Sequence, residues 1–553
     1  MKDQVLIPLA YIQPELGERI VYFLSVITFP LIIFGLFKLL YSNNQREKSI
    51  ALRKKEHLPP WFTADWAITG WLSYLLIVVA ALFFVFGIRA VRDIGIYNVH
   101  FNAIFEPMVQ VFLGRQLLVN LVAQYGLFPH FLEPLFRLVG LSVLSFTVVL
   151  GSIMAISLLA VYLFVIDIVA NRNIGRLGFI ATFYWSYLFI RTFSHTHDYV
   201  FQYFPIRFVF PALSIYFVWQ YIKTNRSKYY VSCHVLAALS LLWNIDVGVV
   251  VFGTWLSLLL YRTIFDRNII AMVKHIACGI LSVLVTFSVY AIFARLRSGL
   301  YPDFSLLMYF QNIYGNWGFG MLPINPFHPW HFLIITYMIG LVIGILSLLK
   351  SERQKNIEMI FYLSLTGLGL FVYYLGRSHI LNLFPISYPA IILITLFADQ
   401  LSSSKEFRHI TRAIILFLIL SAFFTIISVP FTLRIIYARS RLSLGEGSSS
   451  IMSNIALLRT NFSPDKEPLI LSQLSGLYYL AAKTKSPLDV PSPQELLLKK
   501  DQNKIFNFLI QNPREKRIFL DDNYFDNQTV MMVRQNYRAI SKAKGGTLTL
   551  YEY

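Results

Sequence analysis

Blocks of roughly 20 apolar residues, the length of helix that crosses a bilayer, recur along this chain from residue 19 to about residue 436. They predict spans at 19–41, 67–90, 138–167, 176–192, 206–223, 229–246, 247–265, 269–296, 330–350, 357–376, 379–400 and 411–436. The first block is too long and too poorly flanked for a cleaved signal peptide, so it reads as a helix. The connecting loops sort by charge. One class holds Arg46, Lys48, Arg53, Lys54 and Lys55; Arg172 and Arg176; Lys223, Arg226 and Lys228; Arg262, Arg267 and Lys274; Lys350, Arg353 and Lys355; and Lys405, Arg408 and Arg412. If spans alternate, all six lie on one side, which the positive-inside rule makes cytoplasmic.

The opposite side receives loops 91–137, 193–205, 243–248, 297–329 and 376–382, rich in His, Asp, Asn, Tyr and Trp. Loop 91–137 is too long for a plain connector. Its pieces FNAIFEPMVQVFL and LLVNLVAQYGLFPHFLEPLFRLV place apolar residues at i, i+3 and i+4, as helices lying in the interface plane do. An interfacial cuff explains the aromatic residues there. It leaves Asp93, His100 and Glu106 unexplained, and these make the loop the front wall of a candidate active site.

Composition supports the membrane reading. The 553 residues are 56% hydrophobic and 14% charged, well below the roughly one-quarter charged of soluble domains. A net charge of +19 would point to nucleic acid in a soluble protein. Here basic cytoplasmic loops account for it, and no nucleic-acid partner is expected. Cys233 and Cys278 both fall inside predicted spans, which implies neither a disulfide framework nor a zinc site.

Charges beside a span need a partner or a task. Asp198 lies in the loop before the fifth span and Arg207 opens that span, and a structural pair between them weighs equally with substrate contact for Arg207. Asp246 sits in the tight turn WNIDVG, where turn chemistry is the simpler reading. In LGRSHILN, Arg377, His379 and Asn382 neighbour one another, and a guanidinium forks onto two phosphate oxygens; a snorkelling arginine is the alternative. Asp303, His328 and His331 in the long loop 297–329 are weaker candidates.

Three stretches, HFNAIFEPMVQVFLGRQLLVNLVAQYGLFPHF, HDYVFQYFPIRFVFPAL and YYLGRSHILNLFPISYPA, give the chain a likeness spanning nearly the whole membrane region. It resembles the GT-C superfamily of integral-membrane glycosyltransferases, of the protein mannosyltransferase and aminoarabinose transferase type. The resemblance implies a large catalytic first outer loop and a donor sugar carried on polyprenyl phosphate. It also implies an early loop acid as catalytic base or metal partner, a role Asp93 fills by position. The commoner pattern of two adjacent acids is missing, since Asp93 is followed by Ile94 and Gly95; Glu106 and Asp198 are the other candidates. Inverting transfer needs a carboxylate to take the proton of the acceptor hydroxyl. It also needs cations over the leaving phosphate, for which Arg115, Arg207, Arg377 and His379 are the candidates, with His100 and Asn382 as further substrate-binding candidates. A divalent magnesium or manganese ion is compatible with scattered acids and not required by them. The acceptor is a lipid, a glycan or a protein.

The tail from about residue 437 changes character. LGEGSSS reads as a linker. EPLILS, KRIFLDD and TLTLYEY read as strands, with SGLYYLAAK, KIFNFLIQN and TVMMVRQNYR as helices among them. The expected architecture is a polytopic α-helical membrane protein of about 12 spans with a small C-terminal α/β soluble domain. Residues 1–66 form the first span and basic linker, 67–436 the membrane domain, and 437–553 an extracytoplasmic domain. The cell (inner) membrane is the expected location. A polymerase or ligase of lipid-linked glycans is the alternative enzyme. A transporter or flippase is the alternative from another class, but related halves with mid-membrane charges are absent from the sequence.

Overall fold

The computed structural model describes residues 67–87, 98–189, 203–317, 328–376, 380–402, 406–443, 449–463, 466–490, 496–524 and 526–553, with Ser378 and Ser404. The expected span 19–41 lies outside these residues. In chain order the membrane part comprises α1 (Ala67–Leu82), α2 (Asn98–Phe112), α3 (Phe128–Val139), α4 (Val143–Ile168), α5 (Arg172–Phe183), α6 (Val209–Thr224), α7 (Ser227–Trp243) and α8 (Ile245–Phe265). It continues with α9 (Ile269–Ser298), α10 (Tyr309–Trp317), α11 (Trp330–Leu349), α12 (Lys355–Gly376), α13 (Ile380–Leu383), α14 (Tyr388–Leu401) and α15 (Arg408–Ser443). Among the described residues, α1 with its π-helical end, α4, α8, α9, α11, α12 and α15 are long and apolar enough to cross a membrane. The chain is a polytopic helical membrane protein.

Side-chain caps set several boundaries. Ser142 and Ser145 form a capping box that starts α4, and Asn171, Asn244 and Asn268 each accept backbone N–H groups at the starts of α5, α8 and α9. The expected span 379–400 is not one helix. Pro385 and Pro389 cannot continue an N–H ladder, and the segment splits into α13, a turn and α14. The helical rhythm expected from residue 117 holds only from Phe128. Leu118 and Gly126 take positive φ, and 115–127 is turns. Gly126 has a further constraint, because a Cβ there would come within 2.2 Å of the Trp243 carbonyl oxygen.

The tail adds α16 (Ser449–Asn461), β1 (Glu467–Leu471), α17 (Ser475–Ala482), α18 (Lys499–Ile510), β2 (Lys516–Asp521), α19 (Asn527–Asn536), β3 (Arg538–Lys542) and β4 (Leu548–Glu552). Strand order is β1-β2-β4-β3, with β1 and β2 parallel (Leu469 opposite Ile518) and the other pairs antiparallel. The three expected strands and three expected helices are present. β3 was not expected: its exposed Arg538 and Lys542 and half-buried Ser541 carry no apolar alternation. Because strand side chains alternate faces, the sheet is apolar on both sides. Leu469, Leu471, Ile518 and Leu520 form one core with Ile505 and Val533. Ile470, Phe519, Leu548 and Leu550 join the large core that runs through α2 and the membrane helices.

Candidate functional site

Arg207 and Asp246 form the centre of the first candidate site. Arg207 lies in the turn before α6 and Asp246 in the first turn of α8. The α7–α8 hairpin is closed by Asn244, whose side chain caps α8 and also donates to the Tyr125 carbonyl at 3.2 Å. Trp243 donates its indole N–H to the Ile206 carbonyl at 2.7 Å. These bonds fix the hairpin against the segment that carries Arg207. The guanidinium donates to Asp246 Oδ2 at 2.9 Å and to the Tyr373 hydroxyl at 3.3 Å. It stands 4.5 Å from the Tyr373 ring centroid and 5.1 Å from that of Tyr125, within cation–π range.

Arg207 lines a small hollow of about 30 Å³ together with Tyr203, Phe204, Val247, Leu370, Tyr373 and Tyr388. Tyr203 meets Tyr373 edge-on at 5.4 Å and donates its hydroxyl to Asn382 on α13. Arg207 and Asn382 therefore share one aromatic wall. The expected alternative partner of Arg207, Asp198, lies outside the described residues. Asp246 holds the arginine here; the turn chemistry expected of it is supplied by Asn244 instead.

Glu106 and Arg115 come together elsewhere. Both lie where α2 and the turn after it meet the C-terminal domain. Asn102 donates to Glu106 Oε2 at 2.9 Å and to Ser475 Oγ at 3.1 Å, Ser475 donates to Glu106, and Gly476 N–H donates to Asn102 Oδ1 at 3.0 Å. One turn on, Gln110 Oε1 accepts from Ser486 N–H at 2.9 Å. Arg115 donates to the carbonyls of Ser486, Leu488 and Asn120 and faces Asp489 at 3.7 Å. The backbones approach so closely that a Cβ on Gly476 would lie 2.8 Å from Glu106 Cα. Burial pushes the Glu106 carboxyl up to about 7, against the opposing pull of Ser475, Asn102 and Arg115. The bonds these two residues make are those of a docking seam.

A third cluster ties the cuff to α9. Glu133 on α3 accepts from Arg137 at 2.9 Å and from Arg297, with His130 Nδ1 at 3.8 Å. Burial raises the Glu133 carboxyl, but the hydrogen bonds from Arg297 and Arg137, with the His130 ring nearby, outweigh it and hold it at about 2. His130 Nε2 accepts the Leu117 N–H at 3.1 Å, and burial depresses the ring's basicity.

Asp93, Asp198, Arg377 and His379 lie outside the described residues. His100 falls in the first turn of α2, and nothing is described of its side chain. Asp303 accepts from Ser305 N–H at 2.9 Å as a cap. His328 bonds the Tyr374 hydroxyl at 3.0 Å, and His331 stacks on Trp330. Among the described residues, no group of three or more His, Cys, Asp or Glu side chains is placed to hold a metal ion.

No protein-family model and no curated protein matches the chain. Solved structures do. ArnT from Cupriavidus metallidurans bound to undecaprenyl phosphate superposes with a TM-score of 0.51 at 12% identity, covering 87% of this chain and 98% of that one. The apo state of the same enzyme gives 0.43 at 14% identity over 88% and 98%. At such identity the likeness concerns architecture: over 87% of its length this chain has the fold of the ArnT structure with undecaprenyl phosphate bound.

Proposed function

We propose that the protein is a membrane glycosyltransferase that takes a sugar from a polyprenyl-phosphate donor. The observation that carries the reading is the ArnT-like fold, whose matched relative holds undecaprenyl phosphate. The Arg207 site supports it. A guanidinium held between two tyrosine rings beside a hollow is set for an oxyanion, because its planar fork is fixed before ligand arrives. Asp246 orients that fork and partly balances its charge, while a phosphate's additional negative charge still gains from the cation.

In this reading Arg207, with Arg377 and His379, faces the leaving phosphate. Asp93 or Asp198 takes the proton of the acceptor hydroxyl. The acceptor oxygen bonds the anomeric carbon as the bond from that carbon to the phosphate oxygen breaks. The electron pair stays on polyprenyl phosphate, and the anomeric centre inverts. Transfer takes place at the extracytoplasmic face.

The test is purified full-length protein in nanodiscs, given undecaprenyl-phosphate-linked pentoses and hexoses together with an extract of membrane lipids, glycans and envelope proteins as acceptors, with released undecaprenyl phosphate measured. Release with at least one donor is expected, falling by about 100-fold in Arg207→Ala. No release, together with no binding of undecaprenyl phosphate, overturns the proposal.

A further inference from the structure

Helix α10 lies in the long loop after α9 and touches two places at once. On one side Tyr309 donates its hydroxyl to Asp501, its ring lies 4.7 Å from Lys500 Nζ, and Phe310 and Ile313 form a small core with Leu497 and Leu498. All four of these partners belong to the C-terminal domain, at the start of α18 or just before it. On the other side Gln311 Nε2 donates to Asp246 Oδ1 at 2.7 Å. At about 100° per residue, Tyr309, Phe310 and Ile313 share one helix face and Gln311 lies on the opposite one. The helix has one flank seated in the soluble domain and the other on the partner of Arg207.

The amide orientation of Gln311 is fixed by chemistry. Asp246 carries only acceptors when ionised, so the NH2 end must face it. The carbonyl end, Oε1, is buried and meets no donor among the described residues. A buried acceptor left unmatched is costly, and a ligand hydroxyl would satisfy it. Asp246 therefore has both oxygens engaged, Oδ2 by Arg207 and Oδ1 by Gln311.

We infer that Gln311 is a positioning residue which fixes Asp246 and presents its carbonyl to a sugar hydroxyl, and that the C-terminal domain holds it there through α10. The inference rests on the transferase reading for its ligand class, while the linkage from soluble domain to Asp246 stands on contacts alone. It gives the soluble domain a part in substrate recognition without a contact of its own to the hollow.

The experiment is a double-mutant cycle on the full-length protein. Gln311→Leu is expected to raise KM for the sugar-bearing substrate by up to about tenfold, the worth of one hydrogen bond, with a smaller change in kcat. Tyr309→Phe and Leu498→Ala, which touch the soluble-domain seat, are expected to raise the same KM. Each combined with Gln311→Leu adds nothing further, because both act through one helix. Multiplicative effects, or an unchanged KM in Gln311→Leu, overturn the inference. If the wild type turns over no donor, the transferase reading falls and hydrogen exchange decides the linkage. Faster exchange across 309–317 in Leu498→Ala and Tyr309→Phe upholds it, and unchanged exchange overturns it.

Discussion

Arg207 and Asp246, 39 residues apart in sequence, meet at 2.9 Å beside the aromatic hollow. Arg207 comes from the turn just ahead of α6 and Asp246 from the first turn of α8, and the pair exists because Trp243 and Asn244 bind the hairpin to the turns around them. Removing either partner leaves the other with an unmatched charge, and for buried pairs that costs about 3–5 kcal/mol. Asp246 is partly exposed, so the lower end or less applies to Arg207→Ala. Arg207→Lys keeps the charge and loses the fork. It is expected to hold the melting temperature within a few degrees while lowering kcat/KM with a lipid-linked donor about tenfold or more. Thermal unfolding in detergent beside donor kinetics separates the two effects.

The seam at Glu106 is expected to tighten in acid. Its carboxyl is raised to about 7 in the folded protein from an ordinary 4.5, so the folded state binds the proton more strongly. The stabilisation is full below about pH 4.5 and is lost as pH rises through about 7. The shift corresponds to roughly 3 kcal/mol. Hydrogen-exchange protection at 98–112 and 475–490, taken relative to the intrinsic exchange rate at each pH, should therefore be greater at pH 5 than at pH 8. Glu106→Gln, which cannot ionise, should remove that difference.

Gly476→Ala tests the closeness of the same seam. The added methyl meets the Glu106 backbone at 2.8 Å, and neither main chain can swing aside as a flexible side chain would. Overpacking of this kind costs about 1–3 kcal/mol. The expected result is faster protease cleavage between the membrane part and the tail, with the helical circular dichroism unchanged.

Glu133→Gln is expected to loosen the cuff from α9. The substitution leaves Arg297 and Arg137 facing a neutral amide, and loss of about 2–4 kcal/mol is expected for this partly buried cluster. The wild-type carboxyl is held at about 2, so its contribution is complete above pH 4.5 and is lost as pH falls through 2. A lower melting temperature at neutral pH, with the deficit shrinking toward pH 2, is the signature to measure.

Much of this architecture is legible in the residues. Runs such as 143–168 and 269–298 announce themselves by length and apolar content, and the tail's strands by short alternating blocks. Pairing is what the sequence hides. Arg207 was visible as a charge beside a span, but nothing local says that it turns to Asp246. Glu106 and Arg115 looked like acid and cation for chemistry. Their partners Ser475, Ser486 and Leu488 lie some 370 residues on, beyond the reach of any periodicity argument. β3 was missed because an exposed edge strand of Arg, Ser and Lys has no pattern to read. Pro385 and Pro389 were readable as helix breakers, and the surrounding apolar run masked them.

The polar stripe Asn102, Glu106 and Gln110 on α2 has a consequence for how the molecule is made. The partners of that stripe, Ser475, Gly476 and Ser486, emerge from the ribosome long after α2 has reached the bilayer. During that interval an amide–carboxyl row waits on water or on a chaperone. A polypeptide halted before residue 475 never covers it, and its amides and carboxylate stay matched to solvent instead of to the tail.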